Sequence, residues 1–345
     1  MPPRVMQVMA GAPVGGVETF FFDAVLALAG AGVPQHAVIR PNTLFQIGRL
    51  KAAGVPYSTT AFSPWYPWPT KRALAHVVTE FQPDIIQYWS GRAGMHAPQT
   101  RAKQVGWYGG YRERWRFASC THFIGITHDL VRHIREQGVP PERIGLIHTF
   151  AEYQTAPPLD RAAYNTPKDA PLLLALARLH WKKGLDVLLD AVARVPGAYL
   201  WIAGEGEDRA KLEAQTARLG LKDRVRFLGW RNDREALLAT ADICVFPSRY
   251  EPFGTVTIEA WAAGTPLVAA ASQGPGAYVV NEKNGLLVPV DDTDALAGAI
   301  RRVIDDSALR ARIVAGGRET YEQHFTKQVY VRDMLAFYDR VMESK

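Results

Sequence analysis

Ser248-Arg-Tyr-Glu-Pro-Phe-Gly-Thr-Val-Thr-Ile-Glu259 decides how this chain reads. An apolar run, Ile243–Pro247, leads into it, and a helical pattern at Thr257–Ala263 leads out and stops at Gly264-Thr-Pro. A strand therefore passes through a turn containing Gly254 and becomes a helix. A helix start carries unpaired N–H groups and the positive end of a dipole, and both suit a phosphate. Glu251 lies in the turn and Glu259 in the first turns of the helix. A phosphate held there would have carboxylates on either side, within reach of sugar hydroxyls. That is the layout expected around a bound nucleotide sugar.

Outward from this turn, strands and helices alternate along the whole chain. In the first half the apolar runs are Val5–Met9, Ala37–Arg40, Asp84–Trp89, Gln104–Tyr108, His122–Thr127 and Ile144–Phe150, with helical periodicity at Glu18–Ala29, Thr70–Phe81 and Asp129–Gln137. The second half repeats the scheme, with strands at Leu172–Ala177, Tyr199–Ala203, Val225–Leu228, Ile243–Pro247, Pro266–Ala271 and Gly285–Pro289. Leu172–Ala177 is apolar throughout, as a central parallel strand buried on both faces should be. Alternating β and α elements predict an α/β fold built of doubly wound parallel sheets, here two of them, facing each other across a cleft. At 345 residues the chain has the length of two domains. The polar, proline-containing segment before residue 171 reads as a linker. The expected division is a first domain at 1–155, a linker at 156–170, a second domain at 171–325, and a closing helix at 326–345 that can pack back on the first domain.

Composition narrows the classes further. No run approaches the ~18 apolar residues of a membrane span, and the opening residues lack a signal-peptide layout. Cys120 and Cys244 are the only cysteines. Two isolated thiols beside or within apolar strands fit packing roles in a reducing cytoplasm. The net charge is +6, and residues 1–155 hold 15 Lys and Arg against 9 Asp and Glu, so they carry all of the excess. That half also holds two aromatic stretches. Phe62-Ser-Pro-Trp-Tyr-Pro-Trp-Pro69 leads into Lys71-Arg72, and Trp107-Tyr-Gly-Gly-Tyr-Arg-Glu-Arg-Trp-Arg116 mixes Arg112, Arg114 and Arg116 with rings. Trp and Tyr favour membrane–water boundaries, and Arg pairs with anionic head groups. A proline-stiffened loop packed on its own domain would have the same composition. Nucleic acid is not an expected partner, because no single-strand binding module pattern accompanies these residues.

Several further residues could do chemistry. Arg178 ends the first strand of the second domain, and Lys183-Gly184 precede the next helix, so two cations in one loop could straddle a diphosphate. Gly15-Gly16-Val-Glu18 follows the first strand and starts a helix; the glycines permit close approach to a ligand. The spacing is not that of the dinucleotide fingerprint. Gly204-Glu-Gly206 and Gly229-Trp-Arg231 follow other strands and could line a nucleoside pocket, with Trp230 against a base, or could be plain surface loops. His96, His128 and His148 lie at or near strand ends, and no histidine spacing suggests a metal.

The whole chain resembles the retaining nucleotide-sugar glycosyltransferases of the GT-B fold, in the large family four. The likeness rests on Gly15-Gly16-x-Glu18, Arg178 with Lys183-Gly184, and the Glu251-x7-Glu259 element followed by Ala262-Ala-Gly-Thr-Pro-Leu-Val; Asn284-Gly-Leu-Leu-Val-Pro-Val-Asp continues it. The resemblance implies that Arg178 and Lys183 hold the donor diphosphate, with Arg178, Lys183 and Glu251 carrying the catalytic work. It places Glu251 on the hydroxyls of the transferred sugar and Glu259 on the ribose. Phe253, Gly254 and Thr255 would present backbone to phosphate and sugar, and Gly15 and Gly16 would approach the donor from the first domain. It further implies attack by the acceptor hydroxyl on the face of the leaving phosphate, with no metal and no organic cofactor. Many relatives have His-Gly after the strand written here as Gln104–Tyr108. This chain has Tyr108-Gly109, and its acceptor side is expected to involve Glu18, Tyr108, Gly109 and His128. The aromatic arginine stretch resembles bacterial enzymes that build cell-surface saccharides such as lipopolysaccharide core.

The expectation is thus a cytoplasmic enzyme, peripheral at the inner membrane face, that moves a hexose-type sugar from a UDP- or GDP-type donor to a saccharide or lipid-linked acceptor. A nucleotide-sugar epimerase of the same architecture and a non-catalytic sugar-nucleotide binding module are the rival readings.

Overall fold

A computed structural model describes residues 2–12, 15–41 and 44–344 of the chain. Pro13 and Val14, inside the first glycine turn, lie outside the described residues. The chain divides into two compact units, Met1–Thr149 with Lys327–Lys345, and Phe150–Thr326.

The first unit is built on seven parallel strands: β1 (Val5–Val8), β2 (Gln35–Ile39), β3 (Tyr57–Thr59), β4 (Ile85–Tyr88), β5 (Lys103–Tyr108), β6 (His122–Gly125) and β7 (Ile144–Leu146). Their order across the sheet is β3-β2-β1-β4-β5-β6-β7. Helices α1 (Gly16–Gly30), α2 (Leu44–Ala52), α3 (Pro67–Phe81), α4 (Gly91–Gly94) and α5 (His128–Glu136) connect them. Strand β1 is buried at all four positions, as a strand covered on both faces must be. Strand β3 and helix α2 are absent from the sequence reading. β3 is an edge strand of three residues, two half-buried and one exposed, so it lacks the apolar run that marks its neighbours.

The second unit carries six parallel strands: β8 (Leu172–Leu176), β9 (Tyr199–Ala203), β10 (Val225–Gly229), β11 (Ile243–Phe246), β12 (Leu267–Ala270) and β13 (Leu286–Val288). Their order is β10-β9-β8-β11-β12-β13. Helices α6 (Leu185–Ala193), α7 (Arg209–Arg218), α8 (Arg234–Thr240), α9 (Thr255–Ala263), α10 (Pro275–Tyr278), α11 (Thr293–Asp305) and α12 (Ser307–His324) belong to this unit. One core cluster of Leu, Ile, Val and Ala from β8, β9, α6 and α11 fills its interior.

Two segments bear on where the units end. The polar stretch at 156–170 lies on the second unit. Arg161 donates to the Thr240 carbonyl (2.6 Å) and to Asp242 (3.0 Å), and Trp201 Nε1 donates to Thr166 Oγ1 (2.9 Å). The last helix, α13 (Lys327–Glu343), belongs to the first unit. Its Tyr338 hydroxyl donates to buried Gln87 (2.7 Å), and its Phe337 ring lies so close to Gly145 that a Cβ there would stand 2.7 Å away. The same buried network continues through Gln7, which bonds Gln35 (2.9 Å) and accepts from Trp89 (2.7 Å).

Candidate active site

The sheet order explains which loops meet. Strand β8 is flanked by β9 on one side and β11 on the other, so the chain direction of the connections reverses there. Ligands in open parallel sheets bind beyond the carboxyl ends of the strands at such a reversal. The loop after β8 contains Lys183 and the loop after β11 contains Glu251. Their side chains meet, with Lys183 Nζ 2.5 Å from Glu251 Oε2. Both are largely shielded from solvent, at 25% and 17% side-chain exposure, although 68 residues separate them in sequence.

Backbone contacts lock these two loops together. Gly184 has φ +63°, and a Cβ there would stand 2.1 Å from the Pro247 carbonyl oxygen, so only glycine allows this approach. The Arg249 N–H donates to the Lys182 carbonyl (2.8 Å). The Arg249 guanidinium donates to the Trp181 carbonyl (2.7 Å), to both oxygens of Asp186 (2.8 Å each) and to Asp291 (2.6 Å). Burial works to raise the Asp186 pKa, but the bonds and charge of Arg249 outweigh it and hold the carboxyl below its usual range. Arg249 is thus a clamp that fixes Lys183 and Glu251 in register.

The turn itself is held from its other side. Glu251 accepts at its carbonyl from Gly274 N–H (2.8 Å), and the Tyr278 hydroxyl donates to the Phe253 carbonyl. The Phe253 side chain is buried against Tyr278 and Phe325, with ring centroids 5.5 and 6.0 Å away, so only its backbone is available to a ligand. Gly254 precedes α9 with φ +89°, a Cβ there would stand 3.0–3.2 Å from Phe246, Glu251 and Tyr278, and no side chain caps the helix. Thr255, the first helical residue, is exposed.

The remaining donor-side residues do not join the Lys183–Glu251 pair. Arg178 lies 3.5 Å from Glu207 in the loop after β9, and both side chains are exposed. Glu259 is buried and pairs with Arg234 (3.1 Å). Its carboxylate sits near Cys244, whose thiol burial and then this charge push up to about 12, so the thiol is inert. Arg178 and Glu259 thus make contacts separate from the direct Lys183–Glu251 pair. Gly204 has φ +150° and lies against the Ala177 carbonyl, where a Cβ would be 2.0 Å away; it joins the loops after β8 and β9. Arg231 is engaged by Asp233 (2.8 Å) and sits over the Tyr164 ring at 5.8 Å, while the neighbouring Trp230 is exposed.

In the first unit, Glu18 of α1 reaches back to described residues on either side of Pro13 and Val14. Its carboxylate accepts from the Ala12 N–H (2.8 Å) and closes over Gly15, where a Cβ would stand 2.2 Å from an Oε2 atom. Gly16 has open space where its Cβ would be. The acceptor-side expectation for Tyr108 is not met by its side chain. It is completely buried, 5.0 Å from the Phe117 ring, because the last residue of β5 turns into the core. Gly109 follows, and a Cβ there would strike the Trp107 indole at 2.1 Å. His128 opens α5, is exposed, and lies 6.3 Å ring to ring from His148. Sequence reasoning missed Arg249, Asp186, Asp291, Arg234 and Tyr278. Arg249 stands inside the quoted motif, but nothing local marks a clamp whose partners are 63 and 42 positions away.

Comparison with known proteins gives this geometry a lineage. Residues 14–154 match the family model described as Glycosyltransferase Family 4, and residues 158–320 match that described as Glycosyl transferases group 1. The lipopolysaccharide core biosynthesis glycosyltransferase LpsD of Rhizobium meliloti is 35% identical over 339 residues, covering 98% of each chain. The chain is a glycosyltransferase of family four. Among solved structures, a glycosyltransferase of Rickettsia africae superposes on this family-four enzyme with a TM-score of 0.86 at 18% identity, over 100% of both chains. HepE of Anabaena, solved in complex with UDP, gives 0.82 at 21% identity over 96% of this chain and 98% of its own. Both likenesses show the GT-B fold, with its two Rossmann-like units. Among the described residues, no helix of the glycosyltransferase is long and apolar enough to cross a membrane.

Proposed function

We propose that the enzyme transfers a hexose-type sugar from a nucleoside-diphosphate sugar to a saccharide or lipid-linked acceptor of the lipopolysaccharide core type, with retention of configuration and without a metal ion. The observation that carries this reading is the Lys183–Glu251 pair beside the uncapped start of α9. A diphosphate placed there would take Lys183 as its counter-cation and meet the N–H groups of α9, and both would offset the charge that grows on the departing nucleoside diphosphate. Glu251, released from Lys183, would turn to the hydroxyls of the transferred sugar. The acceptor hydroxyl would attack the anomeric carbon on the face that the phosphate leaves, and the leaving phosphate would take its proton. The UDP bound to HepE supports a UDP-type donor, and GDP is the other donor class of the proposal. The likeness to LpsD supports a core-saccharide acceptor.

The test is transfer from UDP- and GDP-hexoses to deacylated lipopolysaccharide core fragments, with and without EDTA, followed by NMR of the new anomeric proton. Transfer that survives EDTA and gives the donor's anomeric configuration is expected. An inverted product, or activity abolished by EDTA and restored by a divalent cation, would overturn the corresponding part of the proposal.

A further inference from the structure

The loops after β8 and β11 carry four Lys and Arg side chains: Arg178, Lys182, Lys183 and Arg249. Three of them are matched by acids. Lys183 meets Glu251 at 2.5 Å, Arg178 meets Glu207 at 3.5 Å, and Arg249 meets Asp186 and Asp291 at 2.8 and 2.6 Å. Lys182 differs. Among the described residues no carboxylate pairs with it, although it sits in the same loop as two cations that have partners.

The Lys182 ammonium lies against two aromatic rings instead. Its Nζ is 6.0 Å from the centre of the Trp181 ring and 5.2 Å from that of Tyr250. The rings come from different loops, and both reach solvent, at 54% and 37% exposure. A ring face attracts a cation, but only weakly at an exposed site. The positive charge of Lys182 is therefore held in place without being neutralised.

The backbone fixes this group as firmly as it fixes the reacting pair. The Lys182 carbonyl accepts from the N–H groups of Arg249 (2.8 Å) and Tyr250 (3.2 Å), and the Trp181 carbonyl accepts from the Arg249 guanidinium (2.7 Å). The Lys182 N–H donates to His180 Nδ1 (3.1 Å), and the His180 ring stacks on Trp181 with centroids 6.0 Å apart. Two rings and an ammonium are thus preorganised, and a ligand has little left to order.

The chemistry of the group selects its ligand. The C–H face of a pyranose packs on an indole or phenol ring, whose body is apolar and whose tip is polar. The unmatched ammonium calls for an anion on the same ligand, through a charge-assisted hydrogen bond. Lys182 directly precedes Lys183, and Tyr250 directly precedes Glu251. Neighbouring Cα atoms are about 3.8 Å apart, so whatever binds here adjoins the reacting pair and belongs to the same substrates. The diphosphate is already assigned to Lys183. A sugar unit that bears its own carboxylate or phosphate satisfies both the rings and the ammonium.

We infer that Trp181, Lys182 and Tyr250 form a subsite for an acidic sugar unit of the acceptor, with the rings against the pyranose and the ammonium on its anionic group. The inference rests on the proposed function in taking the acceptor to be a saccharide, and it names the class of that saccharide. The subsite sets acceptor specificity and takes no part in bond making.

The full-length protein is first titrated with UDP and with GDP by calorimetry. Tri-galacturonate, glucose 6-phosphate and neutral maltotriose are then titrated in the presence of the saturating nucleotide, so that the Lys183 site is filled. At least one acidic probe is expected to bind about fivefold or more tighter than maltotriose, and more weakly as salt is raised. Which acidic probe binds better separates a carboxylate-bearing unit from a phosphate-bearing one. Lys182→Gln should remove that preference, and Lys182→Arg should restore it. Trp181→Ala and Tyr250→Ala should each weaken the acidic probe by about fivefold. Nucleotide affinity should stay within about twofold in all four variants, a result that a merely structural role for these side chains would not give. An acid preference that survives Lys182→Gln, equal binding of acidic and neutral probes, binding of neither acidic probe, or sugar and nucleotide affinities that fall in parallel would each overturn the subsite. A parent that binds no nucleotide but still binds an acidic probe through Lys182 would reject the nucleotide-sugar reading and keep the subsite.

Discussion

Glu251→Gln is the substitution that separates the two tasks assigned to the ion pair. Glu251 neutralises Lys183 at 2.5 Å, with both side chains mostly shielded. An incoming diphosphate must therefore draw Lys183 away from a carboxylate and also approach that carboxylate's negative charge. Two unit charges 4 Å apart interact by about 4 kcal/mol at an effective dielectric of ~20. Partial exposure and the cost of freeing a side chain reduce the share felt by the ligand to about 1–2 kcal/mol. Glutamine keeps the shape and removes the charge, so the affinity for free UDP or GDP should rise by about five- to thirtyfold. Turnover should move the other way. A hydrogen bond from a sugar hydroxyl to a charged acceptor contributes about 1.5–3 kcal/mol, so kcat should fall by about ten- to 150-fold. Calorimetric titration with each nucleotide and initial-rate kinetics on the same preparation read both effects. Lys183→Ala is the companion variant, expected to lose nucleotide affinity and turnover together, by about 2–4 kcal/mol in transition-state terms. A Glu251→Gln enzyme that binds both nucleotides no more tightly than the parent would refute the idea that carboxylate and phosphate compete for one cation.

Further outcomes follow from the surrounding structure. Arg249→Ala removes the guanidinium that Asp186 and Asp291 share, leaving a half-buried carboxylate without its partner; a loss of about 2–4 kcal/mol in chemical denaturation is expected, with a fall in activity as the loops of Lys183 and Glu251 lose their register. A denaturation midpoint equal to the parent's would sink the clamp. Tyr338→Phe deletes the hydroxyl that bonds Gln87 and Gln7 and should cost about 1–2 kcal/mol by the same assay, against no change if those amides find other partners. His36, His96 and His122 are each lowered from 6.5, first by burial, with nearby cations adding to the effect on the latter two. A folded pKa below the unfolded one means that the unfolded chain takes up protons first. Their stabilising contribution is present above about pH 6.5 and is lost as pH falls through the depressed folded values. Melting midpoints should decline from pH 7 towards pH 5, and a flat profile there would contradict the depressed values.

How much of this could be read beforehand depended on the distance between partners. The strand–turn–helix around Glu251 was legible because its signals are adjacent: an apolar strand, a glycine in the turn, and a helical pattern after it. Lys183 could be paired with that turn by the shared chemistry of a diphosphate and by the family likeness, while the physical reason is the neighbouring positions of β8 and β11 in the sheet. The Arg249 clamp was hidden, because Asp186 and Asp291 carry no local mark of their use. Tyr108 was misplaced by its position in a motif: at the end of β5, motif position fixes the backbone but not which way the ring turns. The edge strand Tyr57–Thr59 was invisible because it is neither long nor apolar. Likewise, the polar composition of 156–170 did not reveal that Arg161 and Thr166 tie the segment to the second unit.

The place of α13 has a consequence for how the chain matures. Phe150–Thr326 is continuous, so the second unit can assemble as soon as it leaves the ribosome. The first unit is made earlier but must wait: Gln7 and Gln87 keep their amides without Tyr338 until residues 327–343 emerge. Through that interval the earlier-born half is an open-cored intermediate, and its core closes only when the segment that follows the whole second unit has been made.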